Sequence, residues 1–339
     1  MSNSTTDTLD QTAAPENLAE DLDRLGGRLA DVKAHIGEII YGQDEVIEQS
    51  LIALLSGGHA LLVGVPGLGK TLLVQTLATV LGLDDKRIQF TPDLMPADIV
   101  GSEVLEEGDG GARSFRFIKG PVFCQMLMAD EINRASPRTQ SALLQAMQEH
   151  TISVAGEIHK LPKPFHVVAT QNPIEQEGTY PLPEAQLDRF LIQINVTYPD
   201  HKSEKMVLAK TTGAENQVAR KVLSAKELLA AQKLVRHVPV GDAVVEAILK
   251  LVRAGRPEET DLPDVAANVS WGPGPRASQA FMLCARARAV MQGRLAPSVD
   301  DVIAIAEPVL RHRMALNFAA RADGVNISDI IRKLCAVVA

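Results

Sequence analysis

Residues 64–71 read Gly64-Val65-Pro66-Gly67-Leu68-Gly69-Lys70-Thr71 and match the pattern G-x-x-x-x-G-K-[ST]. The apolar run Ala60 to Val63 precedes them and predicts a buried strand. Beyond Lys70, apolar residues recur at helical spacing until Gly82, which predicts a helix. A glycine-rich loop between a strand and a helix can bind phosphate, because its backbone N–H groups converge on an anion at the positive end of the helix. The stretch therefore predicts a site for a nucleoside triphosphate.

Two side chains of this loop have predicted chemical roles. Lys70 is expected to reach the β- and γ-phosphates of the nucleotide, and the hydroxyl of Thr71 to coordinate Mg²⁺. The backbone of residues 64–69 is expected to wrap around the phosphates, because the glycines allow the close approach.

The composition is that of a globular protein. A chain of 339 residues with 46% hydrophobic content can bury a sizeable core, which we expect to be divided between two domains. No apolar run approaches the roughly 18 residues that cross a bilayer, and the polar, acidic start of the chain lacks the regions of a signal peptide. We therefore expect a cytoplasmic protein with no membrane partner.

Charge and metal-ligating residues argue against other classes. The formal net charge of −8 disfavours sequence-independent binding to DNA, although a local basic patch stays open. Cys124, Cys284 and Cys335 lie far apart in apolar surroundings, which favours reduced core residues. The eight histidines show no metal-ligand spacing.

The first part of the chain is predicted to hold a tail and one amphipathic helix. Residues 1–17 are polar with no apolar period, which is typical of a flexible acidic tail. Residues 18–40 carry apolar side chains at helical spacing. The short stretch that follows contains Tyr41 and Gly42, and it has two equally open interpretations: a contact with adenine, or a corner between helices.

Alternating and continuous apolar runs predict an α/β domain that ends near Asp200. The predicted strands of its sheet are 60–63, 87–90, 122–129, 166–170 and 191–196. Helices are predicted at 92–101, broken by Pro96, at 137–149 and at 182–190. Two inserted β-hairpins are predicted at 102–118 and 151–161.

Polar side chains follow two of these strands. Residues 122–129 are apolar enough for a central parallel strand, and they end in Asp130 and Glu131. Ligands of such sheets bind at the carboxyl ends of the strands. We therefore expect Asp130 to hold Mg²⁺ and Glu131 to orient and deprotonate the attacking water. Asn172, after the next strand, could contact that water or the γ-phosphate, but taken alone it is more typical of a turn residue before proline.

From His201 onward the patterns predict helices alone, and we expect residues 201–339 to form a separate all-α domain. Capping boxes at Ser224 and Ser298 begin two of these helices. Another is predicted to begin with the sequence Gly272-Pro273-Gly274-Pro275-Arg276. Because a helix dipole disfavours a cation in its first turn, Arg276 is expected to have an anionic partner.

Together these motifs resemble the MoxR family of AAA+ ATPases, over nearly the whole chain from about Leu18. Three strings carry the resemblance: residues 123–149, with Asp130-Glu131-Ile132-Asn133-Arg134-Ala135; residues 169–173, Ala-Thr-Gln-Asn-Pro; and residues 177–190, from Glu177 to Phe190. The fold it implies is a parallel-sheet P-loop domain with inserted β-hairpins, followed by an all-α lid domain.

The resemblance also implies roles for single residues. The two hairpins correspond to the family's insert in helix 2 and to its hairpin before sensor 1. Gly274 departs from the family, which commonly has Ser there. By this resemblance, residues 64–71 correspond to Walker A, Asp130 and Glu131 to Walker B, Asn172 to sensor 1, Arg189 to the arginine finger and Arg276 to sensor 2.

Members of this family are ring-shaped, usually six-membered, ATP-driven chaperones that mature particular protein complexes. The resemblance implies that this chain is a chaperone-like, Mg²⁺-dependent ATPase that remodels a protein client or assists metal or cofactor insertion. They often act with a partner that carries a von Willebrand factor A domain. Two alternatives remain: a nucleic-acid remodelling ring ATPase, disfavoured by the acidic charge, and a nucleotide switch without turnover, disfavoured by Glu131, Asn172 and Arg189 together. The glycine-rich tip at 108–111 predicts either a surface that moves against a client or an idle loop.

Overall fold

A five-stranded parallel sheet forms the centre of the N-terminal half of the chain. The computed structural model describes residues 17–107, 113–175, 178–212 and 217–338. In space the strands run in the order β2-β5-β8-β1-β9. The strands are β1 (Ala60–Val63), β2 (Asp85–Gln89), β3 (Gly101–Glu107), β4 (Arg113–Lys119), β5 (Met126–Asp130), β6 (Thr151–Val154), β7 (Glu157–Lys160), β8 (His166–Gln171), β9 (Ile192–Asn195), β10 (Val269–Trp271) and β11 (Ala315–Leu316).

Helices cover both faces of this sheet and form most of the C-terminal half. Two short 3₁₀ helices, Ile132–Arg134 and Arg311–Arg313, follow β5 and α13. The helices are α1 (Leu18–Gly37), α2 (Asp44–Leu55), α3 (Lys70–Val80), α4 (Pro96–Val100), α5 (Pro137–Glu149), α6 (Glu184–Leu187), α7 (His201–Thr211), α8 (Ala225–Arg236), α9 (Asp242–Ala254), α10 (Pro263–Asn268), α11 (Pro275–Met291), α12 (Val299–Ala304), α13 (Ala306–Leu310), α14 (Phe318–Ala322) and α15 (Ile327–Cys335).

The sheet separates two apolar cores, because neighbouring side chains of a strand point to opposite faces. In β1, Leu61 packs with Ala129 and Val167 on one face, whereas Leu62 packs on the other face with Leu73 of α3. Both leucines are completely buried. The continuous apolar strands of the sequence thus correspond to strands covered on both sides, as in other parallel sheets.

The C-terminal helices pack against one another and against α1. A Cβ on Gly26 of α1 would lie 3.2 Å from the carbonyl oxygen of Val290 in α11, so glycine permits this close helix approach. The guanidinium of Arg28 donates to the carbonyl of Val222, ahead of α8, at 2.7 Å. Helix α1 therefore contacts the C-terminal half as well as α2 and α3.

The structure confirms both predicted hairpins, β3–β4 and β6–β7, and corrects several boundaries. The strand predicted at 122–129 begins only at Met126, because Val122 and Phe123 are buried in a turn that is closed by a bond from Phe123 N–H to the carbonyl of Gly120. Pro96 does not break a helix but begins α4, where its missing N–H costs no intrahelical bond.

Two helices are shorter than predicted, and the lid is not wholly helical. The predicted helix 18–40 ends at Gly37, and that at 182–190 is limited to Glu184–Leu187. In the lid, β10 and β11 pair antiparallel, which corrects the prediction of an all-α domain. Such strands of two or three residues are too short to give a period-two pattern.

Other predictions concern cysteines, membranes and residues outside the described ranges. All three cysteines are free; Cys124 and Cys284 are buried, and Cys335 is partly exposed. No helix in the described ranges is both long and apolar enough to cross a bilayer. The predicted tail, apart from Asn17, and the hairpin tip at 108–111 lie outside the described residues.

Two buried histidines join the amino ends of β1 and β8 to their surroundings. His59 Nδ1 accepts from the N–H of Val167 at 2.9 Å, so its Nε2–H donates to the carbonyl of Met147 at 3.1 Å. His166 Nδ1–H donates to the carbonyl of Gly58 at 2.8 Å, and Gln232 of α8 donates to its Nε2 at 3.0 Å. Burial lowers the pKa of His59 to about 3 and that of His166 to about 4.

These histidines predict a loss of stability in mild acid. Unfolded histidine binds a proton below about pH 6.5, whereas the folded protein keeps both rings neutral. As far as these two rings determine it, the free energy of unfolding is therefore highest above pH 6.5. It decreases as the pH drops toward 4, because the unfolded rings gain protons that the folded rings do not. Each ring contributes a slope of up to about 1.4 kcal/mol per pH unit.

Urea denaturation of His166→Gln between pH 7 and pH 5 measures this slope. We expect a shallower loss of stability than in the unmodified protein, because one of the buried rings that gain a proton on unfolding is gone. His201→Gln, an exposed position on α7, is the control and should keep the original slope. Equal slopes for His166→Gln and the unmodified protein would contradict the assignment.

Candidate nucleotide-binding site

The predicted phosphate loop connects β1 to α3, as its flanking patterns require. Gly67 and Gly69 have φ angles of +85° and +74°, the left-handed region that side chains disfavour. A Cβ on Gly64 would lie 2.6 Å from the carbonyl oxygen of Val196, which follows β9. Glycine is therefore needed at positions 67 and 69 for conformation and at position 64 for close packing.

Lys70 lies across the loop. Its Nζ donates to the carbonyl oxygens of Gly64 and Val65, each at 2.7 Å. Burial lowers the pKa of Lys70, whereas the nearby carboxylates of Asp130 and Glu131 raise it. The loop backbone and these two carboxylates thus both act on the lysine ammonium.

A cleft of about 380 Å³ opens between this loop and the carboxyl ends of β5 and β8. The structure therefore brings together the loop and the three polar residues predicted to act with it. The residues that line this cleft are 66–72, Asp130, Glu131, Thr170, Gln171 and Asn172.

Asp130, the predicted metal ligand, has hydrogen-bond donors on both carboxylate oxygens. The hydroxyl of Thr170 donates to Oδ1 at 2.6 Å, and the guanidinium of Arg87 donates to Oδ2 at 2.5 Å. The carboxylate is 13% exposed, so it can still reach the cleft. Sequence reasoning missed both donors. The polar positions Arg87 and Gln89, two residues apart on β2, were the available signal for a polar strand face.

Glu131, the predicted base, has a left-handed backbone with φ 55° and ψ 50°. This conformation is strained for a residue with a side chain and is characteristic of functional sites. The hydroxyl of Thr170 accepts from its N–H at 2.8 Å. Its carboxylate oxygen Oε2 accepts from Gln89 at 2.8 Å and from Arg134 at 3.0 Å. Thr170 therefore positions both carboxylate residues at once.

Asn172 lines the cleft and also forms a turn. It is 7% exposed, and its side-chain oxygen accepts from the N–H of Ile174 at 3.1 Å. The turn interpretation and the position next to the phosphate loop are thus compatible. No cluster of three or more His, Cys, Asp or Glu side chains suited to a metal ion occurs in the described ranges.

Arg189 and Arg276 lie together but outside the phosphate cleft. Both line a second cleft of about 210 Å³, which shares no lining residue with the first. Arg189 donates to the carbonyl of Leu144 in α5 at 2.7 Å. Arg276 Nε lies 3.8 Å from Oδ2 of Asp188, an anion beside this arginine as its helix position predicted.

Tyr41 and Gly42 lie in the corner between α1 and α2 and do not line the phosphate cleft. The Tyr41 hydroxyl donates to Gln217 at 2.7 Å. Gly42 has φ +68°, and a Cβ there would overlap the side chain of Ser203 in α7. The corner interpretation is confirmed, whereas an adenine contact stays a prediction. Gln43 attaches this corner to the loop by a 3.0 Å bond to the carbonyl of Leu68.

Comparison with known proteins gives consistent matches. The model of the ATPase family associated with various cellular activities (AAA) matches residues 59–192, and that of the AAA lid domain matches residues 264–334. A solved structure described as a putative ATPase from Cytophaga hutchinsonii superposes with a TM-score of 0.86 at 38% identity, covering 93% of this chain and 96% of that chain.

Curated relatives match over similar lengths. Chaperone MoxR1 of Mycobacterium tuberculosis is 43% identical, covering 96% of this chain and 84% of that protein. Protein MoxR of Paracoccus denitrificans is 33% identical, covering 86% of this chain and 89% of that protein. Since these proteins match nearly the whole chain, including its phosphate loop and lid, it belongs to the MoxR family of AAA+ ATPases and is an ATP-hydrolysing enzyme.

Proposed function

We propose that this chain hydrolyses ATP with Mg²⁺ in a ring of identical subunits, a hexamer in the family's usual form, and that it uses the energy to remodel a protein client. One observation carries the proposal. Lys70, Asp130, Glu131 and Asn172 meet at one cleft, whereas Arg189 and Arg276 meet at another. A complete hydrolytic site then needs the second cleft of a neighbouring subunit.

The loop and the two strand ends divide the chemistry between them. The glycine-rich backbone binds the phosphates, and Lys70 leaves its loop carbonyls to contact the β- and γ-phosphates. Thr71 and Asp130 would hold Mg²⁺, which neutralises charge on the phosphates when it is bound. Glu131 accepts the proton of the attacking water, and Asn172 orients that water or the γ-phosphate.

The second cleft is suited to an anion. Arg189, Arg276 and Arg313 line it with a single carboxylate, that of Asp188. We infer that Arg189 and Arg276 both stabilise the charge on the phosphates of a nucleotide bound to the neighbouring subunit. An arginine supplied in this way contributes roughly 10³ to 10⁵ to the rate of phosphoryl transfer.

The client role rests on the family and on the two hairpins. Chaperone MoxR1 is among the relatives, and a partner with a von Willebrand factor A domain and a role in metal or cofactor insertion would follow the family pattern. On β3–β4, Leu105 and Phe115 lie opposite each other and are 51% and 70% exposed. Exposed apolar pairs of this kind are suited to contact with a protein.

Substitution of the loop lysine and of the predicted base should separate binding from hydrolysis. Lys70→Ala removes a charge from the phosphates, so we expect ATP affinity to fall at least tenfold. Glu131→Gln keeps the shape of the side chain but cannot accept a proton, so it should bind ATP within about threefold of normal and lose turnover. Calorimetric binding and phosphate release measure the two effects. Equal loss of affinity in both variants would contradict these roles.

Thr170→Val tests the shared hydroxyl. Valine has nearly the same shape, but it leaves the Glu131 N–H without its acceptor and Asp130 without one donor. An unmade bond of this kind costs about 1–3 kcal/mol, so turnover should fall about tenfold while ATP affinity changes little. Thr79→Val, on the exposed side of α3, is the matched control and should keep normal turnover. Normal turnover in Thr170→Val would show that the hydroxyl does not position the carboxylates.

Mixed rings test the role of Arg189 in a neighbouring subunit. Arg189→Ala and Lys70→Ala should each be inactive alone, since one lacks the arginine and the other lacks nucleotide binding. Mixed in equal amounts, they should regain part of the turnover, because a Lys70→Ala subunit supplies its arginine to an Arg189→Ala neighbour that binds ATP. Co-purification of the two variants through a tag on one of them verifies that mixed assemblies form. If such assemblies stay inactive, the assignment is wrong.

A further inference from the structure

Arg313 is a charged side chain buried at the junction of the lid and the nucleotide domain. It belongs to the 3₁₀ helix Arg311–Arg313 and is 2% exposed. A buried guanidinium is tolerated only where its N–H groups have partners. Its Nε donates to Oδ1 of Asp188 at 2.7 Å, and its terminal nitrogens donate to the carbonyls of Phe190 at 2.7 Å, Val309 at 2.7 Å and Leu191 at 2.9 Å.

Three of these four acceptors belong to residues 188–191, the segment that contains Arg189. His312 adds another contact, since its Nε2–H donates to the carbonyl of Phe190 at 3.0 Å. Burial lowers the pKa of His312 well below its usual range, which keeps the ring neutral. Two consecutive lid residues thus hold the backbone directly after Arg189.

The carboxylate of Asp188 joins the two arginines of the second cleft. Oδ1 accepts from Arg313, and Oδ2 lies 3.8 Å from Nε of Arg276. Asp188 immediately precedes Arg189 in the chain and is fixed by the buried guanidinium. Asp188 therefore links the position of Arg189 on the nucleotide domain to that of Arg276 on the lid.

We propose that Arg313 is a positioning residue for ATP hydrolysis in the adjacent subunit: it fixes Asp188 and the backbone at 190–191, so that Arg189 and Arg276 reach the neighbour's nucleotide as one unit. Any rotation of the lid is then transmitted to Arg189. This inference rests on the proposed function, in which both arginines act between subunits. Arg313 itself contacts no nucleotide.

Arg313→Lys tests the proposal, since lysine keeps the charge but cannot bond to four acceptors in fixed directions. We expect at least a tenfold loss of turnover in rings of this variant, with ATP affinity within twofold of normal because the phosphate cleft is separate. Mixed with Lys70→Ala, the variant should regain turnover, since its own phosphate site is intact and its neighbour's arginines are correctly placed. A purely structural defect would not be restored by a neighbour.

Arg294→Lys is the matched control. Arg294 also pairs with a buried aspartate, Asp301, at 2.5 Å, but within the lid and away from both clefts. It should keep turnover within twofold of normal.

Asp188→Asn is the second test variant and decides the matter if Arg313→Lys fails to fold. The neutral amide oxygen weakens the charge-assisted bond from Arg313 and removes the charge beside Arg276, so the variant should lose turnover and regain it in the mixture. Normal turnover in Asp188→Asn would overturn the proposal.

The mixtures separate two kinds of failure. If Arg189→Ala with Lys70→Ala regains turnover but Arg313→Lys with Lys70→Ala does not, the role of Arg313 is wrong and the proposed function stands. If neither mixture regains turnover in assemblies that co-purification shows to contain both variants, the proposed function fails, and the inference fails with it. A tenfold loss of ATP affinity in Arg313→Lys would also overturn it, because the residue would then act on its own subunit's site.

Discussion

Burial of the central strands on both faces is the constraint on which the site depends. An unpaired carboxylate inside such a sheet would lose several kcal/mol of solvation, so in the central strands β1, β5 and β8 carboxylates occur only where the strand ends. In β5, Met126 to Ala129 are buried, and Asp130 is the first residue to reach the edge. In β8, Thr170 is buried and Asn172 follows the strand. The carboxyl ends of two parallel neighbours and the loop after β1 thus place Asp130, Glu131 and Asn172 around one cleft.

One hydroxyl stabilises this arrangement. Thr170 donates to Asp130 and accepts from the N–H of Glu131, so its single oxygen joins β8 to both carboxylate residues. The second bond compensates part of the cost of the left-handed turn at Glu131. Arg87 and Gln89 extend the contacts to β2, where Arg87 also donates to Gln89 at 2.9 Å. The edge strand therefore contributes polar contacts to a site whose other members come from the sheet centre.

The sequence predicted the residues of the site better than their connections. The phosphate loop, the five sheet strands and Asp130 with Glu131 were all recognisable, because glycine spacing and apolar runs are local properties. Thr170 was placed inside a buried strand with no role, since only strand pairing brings it against Asp130. Arg313 gave no local signal either, because three of its four acceptors lie more than 100 residues away in the chain. That Arg189 and Arg276 share one cleft likewise depends on how the lid packs.

Strands β5 and β8 end at the phosphate cleft and begin next to the two hairpins. The chain passes from β3–β4 into the amino end of β5, and from β6–β7 into the amino end of β8. The hairpins touch, because Phe117 stacks on His159 with ring centroids 4.2 Å apart, and Phe123 meets Phe117 edge-on at 5.7 Å. A close-packed sheet transmits small displacements rather than absorbing them. A change at Asp130 or Asn172 therefore has a direct route along β5 and β8 to two hairpins that are in contact with each other.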